Sequence, residues 1–142
     1  MPTLVTGDRL REAVEHETFI KGGDLSSVEG VKYDFRMGSR VRKAAYSQPI
    51  DMEELPVIER SAMSVDPGEA VFVLTKEHLD LPNNFMAVLS PKRRLAHGGI
   101  IILGGFSVDP LYRGPLWLGL YNFSSTPYPL QAGRKLIAGM FY

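Results

Sequence analysis

Short runs of β-branched, aromatic and aliphatic residues recur along this chain, each closed off by glycine or proline, and that rhythm restricts its folds more than any other feature. The runs cover residues 31–37, 70–74, 85–89, 100–103, 116–123 and 136–142. In the first, Val31, Tyr33, Phe35 and Met37 alternate with Lys32, Asp34 and Arg36, the period of a strand with one face buried. Turn chemistry separates the runs at Asp66-Pro67-Gly68-Glu69, Leu81-Pro82-Asn83-Asn84, Ser90-Pro91, Asp109-Pro110, Thr126-Pro127 and Ala132-Gly133. Most of the 14 glycines and 10 prolines lie in these intervals. Several short strands at fairly even spacing predict an all-β fold, a distorted barrel or sandwich.

One helix precedes the strands. Over residues 8–17, Leu10, Ala13, Val14 and Glu17 fall at i, i+3, i+4 and i+7, with Thr6 or Asp8 as the cap and Lys21-Gly22-Gly23 as the stop. Residues 43–62 carry Pro49 and Pro56 and read as a loop or irregular excursion.

The chain has 142 residues, the length of one domain spanning 1–142. Sixteen basic residues balance sixteen acidic ones, which argues against a nucleic-acid polymer as partner, because phosphate-rich partners select a basic excess. The absence of cysteine excludes disulfides, thiolate zinc sites and thiol nucleophiles. No run approaches the roughly 20 apolar residues that span a bilayer, so no membrane partner is expected. Met1-Pro2-Thr3-Leu4 lacks a secretory pattern, and the expected compartment is the cytoplasm.

Generic catalytic signatures are missing. His16-Glu17 has no second histidine at zinc-protease spacing, no Gly-x-Ser-x-Gly elbow occurs, and the glycine-rich stretch 99–105 lacks the Lys-Ser/Thr ending of a phosphate loop. Three scattered histidines do not suggest a metal cluster.

A specific resemblance lies in four stretches taken in order. Asp109-Pro110-Leu111-Tyr112-Arg113-Gly114, followed by Leu116-Trp117-Leu118 and Leu120-Tyr121-Asn122, resembles the third motif of the dUTPase and dCTP deaminase superfamily. Gly30-Val31-Lys32-Tyr33-Asp34-Phe35-Arg36-Met37-Gly38 is similar to the first motif, Pro91-Lys92-Arg93-Arg94-Leu95-Ala96-His97-Gly98-Gly99-Ile100 to the second, and Ala132-Gly133-Arg134-Lys135-Leu136-Ile137-Ala138 to the fourth. Gly7-Asp8-Arg9-Leu10-Arg11 and residues 67–82 resemble the deaminase branch in particular.

The resemblance implies a homotrimer of distorted β-barrels with active sites between subunits. It implies a deoxynucleoside triphosphate as ligand, with Mg²⁺ on its phosphates. Asp109 would be the catalytic base that activates a water, although an Asp-Pro pair also starts turns. Tyr112 would lie under the sugar, or serve only as a core or hairpin aromatic. Lys92, Arg93 and Arg94 would meet the triphosphate, or form a solvated basic turn. Ser107 is the one polar side chain in the stretch 103–108 that could read a base. Asp34 would touch a metal-bound water or hold an interface arginine, or belong simply to the polar face of its strand. His97 reads as a loop histidine.

The sequence also departs from the family pattern. Arg93-Arg94 stands where a Ser-Ser or Ser-Gly pair normally holds phosphate, Gly119 where the deaminase branch has its glutamate, and Gly139 where the fourth motif has glutamine. Stretch 103–108 is about one residue short, and Tyr142 follows the fourth motif without the glycine-rich arm of dUTPases. Cytosine deamination is therefore rejected. Two expectations stand: a deoxynucleoside triphosphate pyrophosphatase working through Asp109, or a non-catalytic trimeric relative that binds a nucleotide or serves a regulatory or structural role.

Overall fold

Residues 3–43 and 48–142 are described by a computed structural model of the chain. Helix α1 (Gly7–Glu15) comes first, followed by strand β1 (Ile20–Lys21), a 3-10 turn (Leu25–Ser27), β2 (Val28–Glu29) and the long β3 (Lys32–Lys43). β4 (Ile50–Asp51), a second 3-10 turn (Met52–Glu54) and α2 (Val57–Ser61) lead into β5 (Ser64–Val65), β6 (Ala70–Thr75), β7 (His78–Asp80) and β8 (Ala87–Pro91). The last part holds α3 (Arg93–His97), β9 (Ile100–Leu103), β10 (Ser107–Val108), β11 (Arg113–Gly114), β12 (Trp117–Asn122), β13 (Tyr128–Pro129) and β14 (Lys135–Phe141).

The expected β architecture is what forms, with one short N-terminal helix before a curled sheet ordered β10-β8-β14-β3-β6-β12-β9. Strand β3 makes the curl. Its first half pairs with β14, Phe35 opposite Ile137, and its second half with β6, Val41 opposite Val73. The register slips between Met37 and Val41, so one strand bends and serves two sheet faces at once. Two smaller sheets, β1-β7-β11 and β13-β5, close the ends.

Alternation along β3 sends Tyr33, Phe35 and Met37 into the core, where Phe35 meets Tyr33 edge-on at 5.2 Å. Phe141 and Phe19 extend this aromatic cluster, their ring centres also 5.2 Å apart. Such pairs contribute about 0.5–1.5 kcal/mol each beyond the area they bury. Helix α1 packs Leu10, Ala13 and Val14 inward and leaves Arg9 over the Phe85 ring.

Several local expectations need correction. Helix α1 ends at Glu15, ahead of Gly22-Gly23, because Glu17 takes a left-handed φ of 49° and the Thr18 N–H closes back on the Ala13 carbonyl. Ser90-Pro91, read as a turn, instead finishes strand β8. Residues 43–62 contain β4, a 3-10 turn and α2, while residues 44–47 of that stretch lie outside the described residues. Among the described residues, no helix is long and apolar enough to cross a membrane.

Candidate functional site

The first, second and fourth motifs meet on the β8-β14-β3 part of the sheet. Strand β14 runs between the other two, with Ala138 opposite Asp34 on one side and Ser90 on the other. A methyl side chain at 138 leaves room for Lys92, at the start of α3, to reach across β14. Its ammonium donates to both carboxylate oxygens of Asp34 at 3.1 Å. The Asp34 side chain is 2% exposed, so it is neither an ordinary solvated residue of a strand's polar face nor open to a metal-bound water. An unpaired carboxylate buried this deeply would be costly, and Lys92 neutralises it.

Around this pair lies an open cleft of about 540 Å³ lined by Lys32, Ser90, Pro91, Lys92, Arg93, Arg94 and Ala138. Four of those residues are cations, and none is an aspartate or glutamate. Arg93 and Arg94 are exposed on the single turn of α3, which the buried Leu95 pins to the core. The Arg94 guanidinium donates to the Lys135 carbonyl at 2.7 Å, which fixes its plane at the cleft edge. Arg94 also borders a smaller hollow of about 290 Å³ with Arg134 and Lys135. The quoted motifs contain Lys32, Arg134, Lys135 and Ala138, but their convergence required the strand pairing to become visible. An arrangement of this kind suits a polyanion, because guanidinium forks bind phosphate oxygens by charge-assisted hydrogen bonds.

The third motif lies elsewhere. Ser107 and Val108 pair with Val88 and Ala87 at the start of β8, whereas Lys92 follows the far end of that strand. From Ala87 to Lys92 is five residue steps of extended chain, roughly 17 Å at about 3.3 Å per residue. The structure therefore brings Lys92, Arg93, Arg94 and Asp34 together but does not bring Asp109, Tyr112 or Ser107 to them within one chain.

Asp109 opens a turn in which the Tyr112 N–H reaches the Asp109 carbonyl at 3.3 Å. The turn reading of this residue holds, and the turn leaves its side chain exposed. Among the described residues no group donates to the Asp109 carboxylate. Leu111, in the middle of the turn, holds φ at 71°, a strained value for a residue with a side chain. The Tyr112 hydroxyl donates to the Pro115 carbonyl at 2.5 Å, and its ring is only partly exposed. Ser107 is exposed on β10, and His97 is exposed at the end of α3. At the close of the motif Asn122 is fully buried. Its amide donates to the Val65 and Thr126 carbonyls and its oxygen accepts from Ser124, so it ties β12 to its neighbours.

Two glycines occupy positions where the family resemblance leads one to expect functional side chains, and a Cβ at either would meet close neighbours. A Cβ on Gly119 would come within 2.8 Å of Leu103 Cβ and 3.0 Å of the Phe72 ring. A Cβ on Gly139 would stand 2.7 Å from the Phe35 ring.

Sequence reasoning also passed over a buried ionic network behind β3. Glu77 is fully buried and accepts from the Tyr33 hydroxyl at 2.7 Å, from Arg36 Nε at 2.8 Å and from the Arg36 backbone N–H at 2.9 Å. Burial first, then the Glu77 carboxylate, raise the Tyr33 phenol well above its ordinary pKa of 10.0. Tyr33 and Arg36 both stand in the first motif, whereas Glu77 lies within the 67–82 stretch, where no spacing ties it to β3.

A family model described as dCTP deaminase-like matches residues 4–142. The dCTP deaminase of Thermococcus gammatolerans is 31% identical over 125 residues, 87% of this chain and 74% of that protein. The deoxyuridine 5'-triphosphate nucleotidohydrolase of Actinobacillus pleuropneumoniae serotype 5b is 30% identical over 112 residues, 76% of this chain and 74% of that protein. Among solved structures, the 2'-deoxycytidine 5'-triphosphate deaminase of Agrobacterium tumefaciens superposes with a TM-score of 0.79 at 18% identity. That likeness covers 99% of this chain and 47% of the solved one, so this chain spans about half its length. The native EIAV dUTPase superposes with a TM-score of 0.56 at 17% identity, covering 87% of this chain and 82% of the other.

Proposed function

Because this chain belongs to the dCTP deaminase-like family, within the dUTPase and dCTP deaminase superfamily, we propose that it binds a deoxynucleoside triphosphate between copies of itself and hydrolyses it to monophosphate and pyrophosphate. The observation that carries this reading is the split of its site. The basic cleft and the Asp109 turn stand at opposite ends of β8, so one chain offers phosphate-binding cations and its neighbour the carboxylate. A homotrimer, the expected assembly, supplies such pairs of half-sites around a closed ring. Cytoplasm is the compartment this reading assigns.

In the reaction, Asp109 holds a water and accepts its proton as the water oxygen attacks the α-phosphorus. The bond from the α-phosphorus to the bridging oxygen breaks, and pyrophosphate leaves with the electron pair. Arg93 and Arg94 stabilise the charge gathering on the phosphate oxygens, and Tyr112 supports the sugar from the Asp109 side. The exposed, unpaired state of the Asp109 carboxylate supports its part, since a base must be free to meet water. Cytosine deamination is not carried over from the relatives, because the position of its glutamate is Gly119, where an added Cβ would already crowd Leu103 and Phe72.

One observation favours a second reading. Gly119 and Gly139 are both sealed by packing, which fits a relative that keeps nucleotide binding and has given up chemistry. Pyrophosphate release from dUTP, dCTP, dTTP and dATP separates the two. The proposal expects release from at least one, reduced about 10²–10⁴-fold in Asp109→Asn. Binding without release from any of the four establishes the second reading, and release that survives Asp109→Asn unchanged removes Asp109 as the base.

A further inference from the structure

We propose that the basic cleft holds a phosphate chain through protein cations alone, so that nucleotide binding there does not require a divalent metal. This rests on the nucleotide reading above and concerns what neutralises the triphosphate.

The first ground is the state of Asp34. It is the acid that the family resemblance would offer to a metal-bound water, yet both of its oxygens face Lys92 and its side chain is closed to solvent. A hydrated metal needs a carboxylate that reaches its water shell. Residues present here do not fit that role.

The second ground is the charge of the walls. Lys32, Lys92, Arg93 and Arg94 line the cleft, and among the described residues no aspartate or glutamate lines it with them. A divalent cation entering would meet four like charges, and the cleft walls of this chain offer it no ligand of opposite sign. It would also compete with the guanidiniums for the same phosphate oxygens.

The third ground is preorganisation. Arg94 is already oriented by its bond to the Lys135 carbonyl, and Arg134 and Lys135 continue the positive surface past it. Arg93 and Arg94 stand where related chains place small hydroxyl residues, so this chain has added positive charge at the position of phosphate contact. Fixed guanidiniums can supply the charge neutralisation that a metal supplies elsewhere.

Calorimetric titration of the full chain with α,β-imido-dUTP and α,β-imido-dCTP, in excess EDTA and in MgCl₂, tests this. At least one analogue should bind in EDTA as tightly as in MgCl₂, or more tightly. The exposed double variant Arg93→Ser/Arg94→Ser should weaken that metal-free binding by about tenfold or more. Asp34→Asn should preserve or tighten it, because Lys92 then faces the cleft without its counter-charge. Binding that appears only with magnesium, or that Asp34→Asn abolishes, overturns the proposal. Inorganic tripolyphosphate, titrated in EDTA, separates the two levels of the argument. If it binds through Arg93 and Arg94 while neither analogue does, the metal-free anion site stands and the nucleotide reading falls. If neither analogue nor tripolyphosphate binds in either buffer, both fall.

Discussion

Glu77 has no contact with water, and its charge is met by three donors from two residues of the same strand. Tyr33 is the neutral member of this set and gives it a pH signature. Above pH 10 the unfolded chain releases the phenolic proton while the folded chain keeps it, so the native state binds more protons. Stability then falls as pH rises, by about 1.4 kcal/mol per pH unit for this group, and below pH 10 its contribution is complete. Tyr33→Phe should lower stability near neutrality by roughly 1.5–3 kcal/mol, the loss of a hydrogen bond to a charged group. It should also flatten the alkaline decline relative to the parent. Urea unfolding at pH 7 and across pH 9–11 reads both, and an unchanged alkaline slope would show that Tyr33 is not its source. Little of this was legible beforehand. Alternation assigned Asp34 to a polar face, but the period of a strand cannot reveal that Lys92 reaches across β14 to close over it. Nor does any sequence spacing connect Glu77 to a strand some forty residues earlier.

At the scale of elements the sequence was far more explicit. The runs at 100–103, 116–123 and 136–142 correspond to β9, β12 and β14 to within a residue at either end, because hydrophobic alternation and turn residues act locally. What escaped were α2, α3 and the 3-10 turns, too short to show a period, and the continuation of β3 to Lys43, where Gly38-Ser39-Arg40 bends the strand. The four motifs were legible as sequence, but their grouping into three and one depends on which strands become neighbours. Strand β12 carries Gly119 against Leu103 of β9, and a glutamate placed there would have to push the strands apart. Gly119→Glu should cost about 1–3 kcal/mol through overpacking and yield no ammonia from dCTP. Measurable deamination in that variant would show the pocket to be intact. The turn after β10 is the converse case, since Leu111 holds a left-handed conformation while its side chain is mostly exposed. Leu111→Gly should gain roughly 0.5–1 kcal/mol by relieving that strain, with the gain reduced by glycine's freedom in the unfolded chain. A lowered melting temperature would mean that the exposed leucine contributes packing.

At the scale of the whole molecule, the described residues leave an apolar surface uncovered. Trp117 and Tyr121 of β12, Phe72 of β6 and Ile101 and Leu103 of β9 project from the same face of the sheet, and Trp117 is 47% exposed. Beyond β9 the chain passes through exposed Phe106 directly to the Asp109 turn, so the patch borders the half-site that lacks phosphate-binding cations. Contiguous apolar faces of this kind mark places where another chain sits. The proposed homotrimer needs such a face to carry one subunit's Asp109 to a neighbour's basic cleft. Light scattering on the eluting protein should give the mass of three chains. Trp117→Glu should dissociate the assembly, because a buried carboxylate without a partner costs more than the contact gains, and it should keep the far-ultraviolet signature of a β fold. Nucleotide binding and any pyrophosphate release should disappear with the trimer. Ile58→Glu changes a still more exposed apolar residue, on α2, and should leave mass and binding as they were. If the parent protein elutes with the mass of one chain, no neighbour exists to complete the site, and the shared-site reading falls.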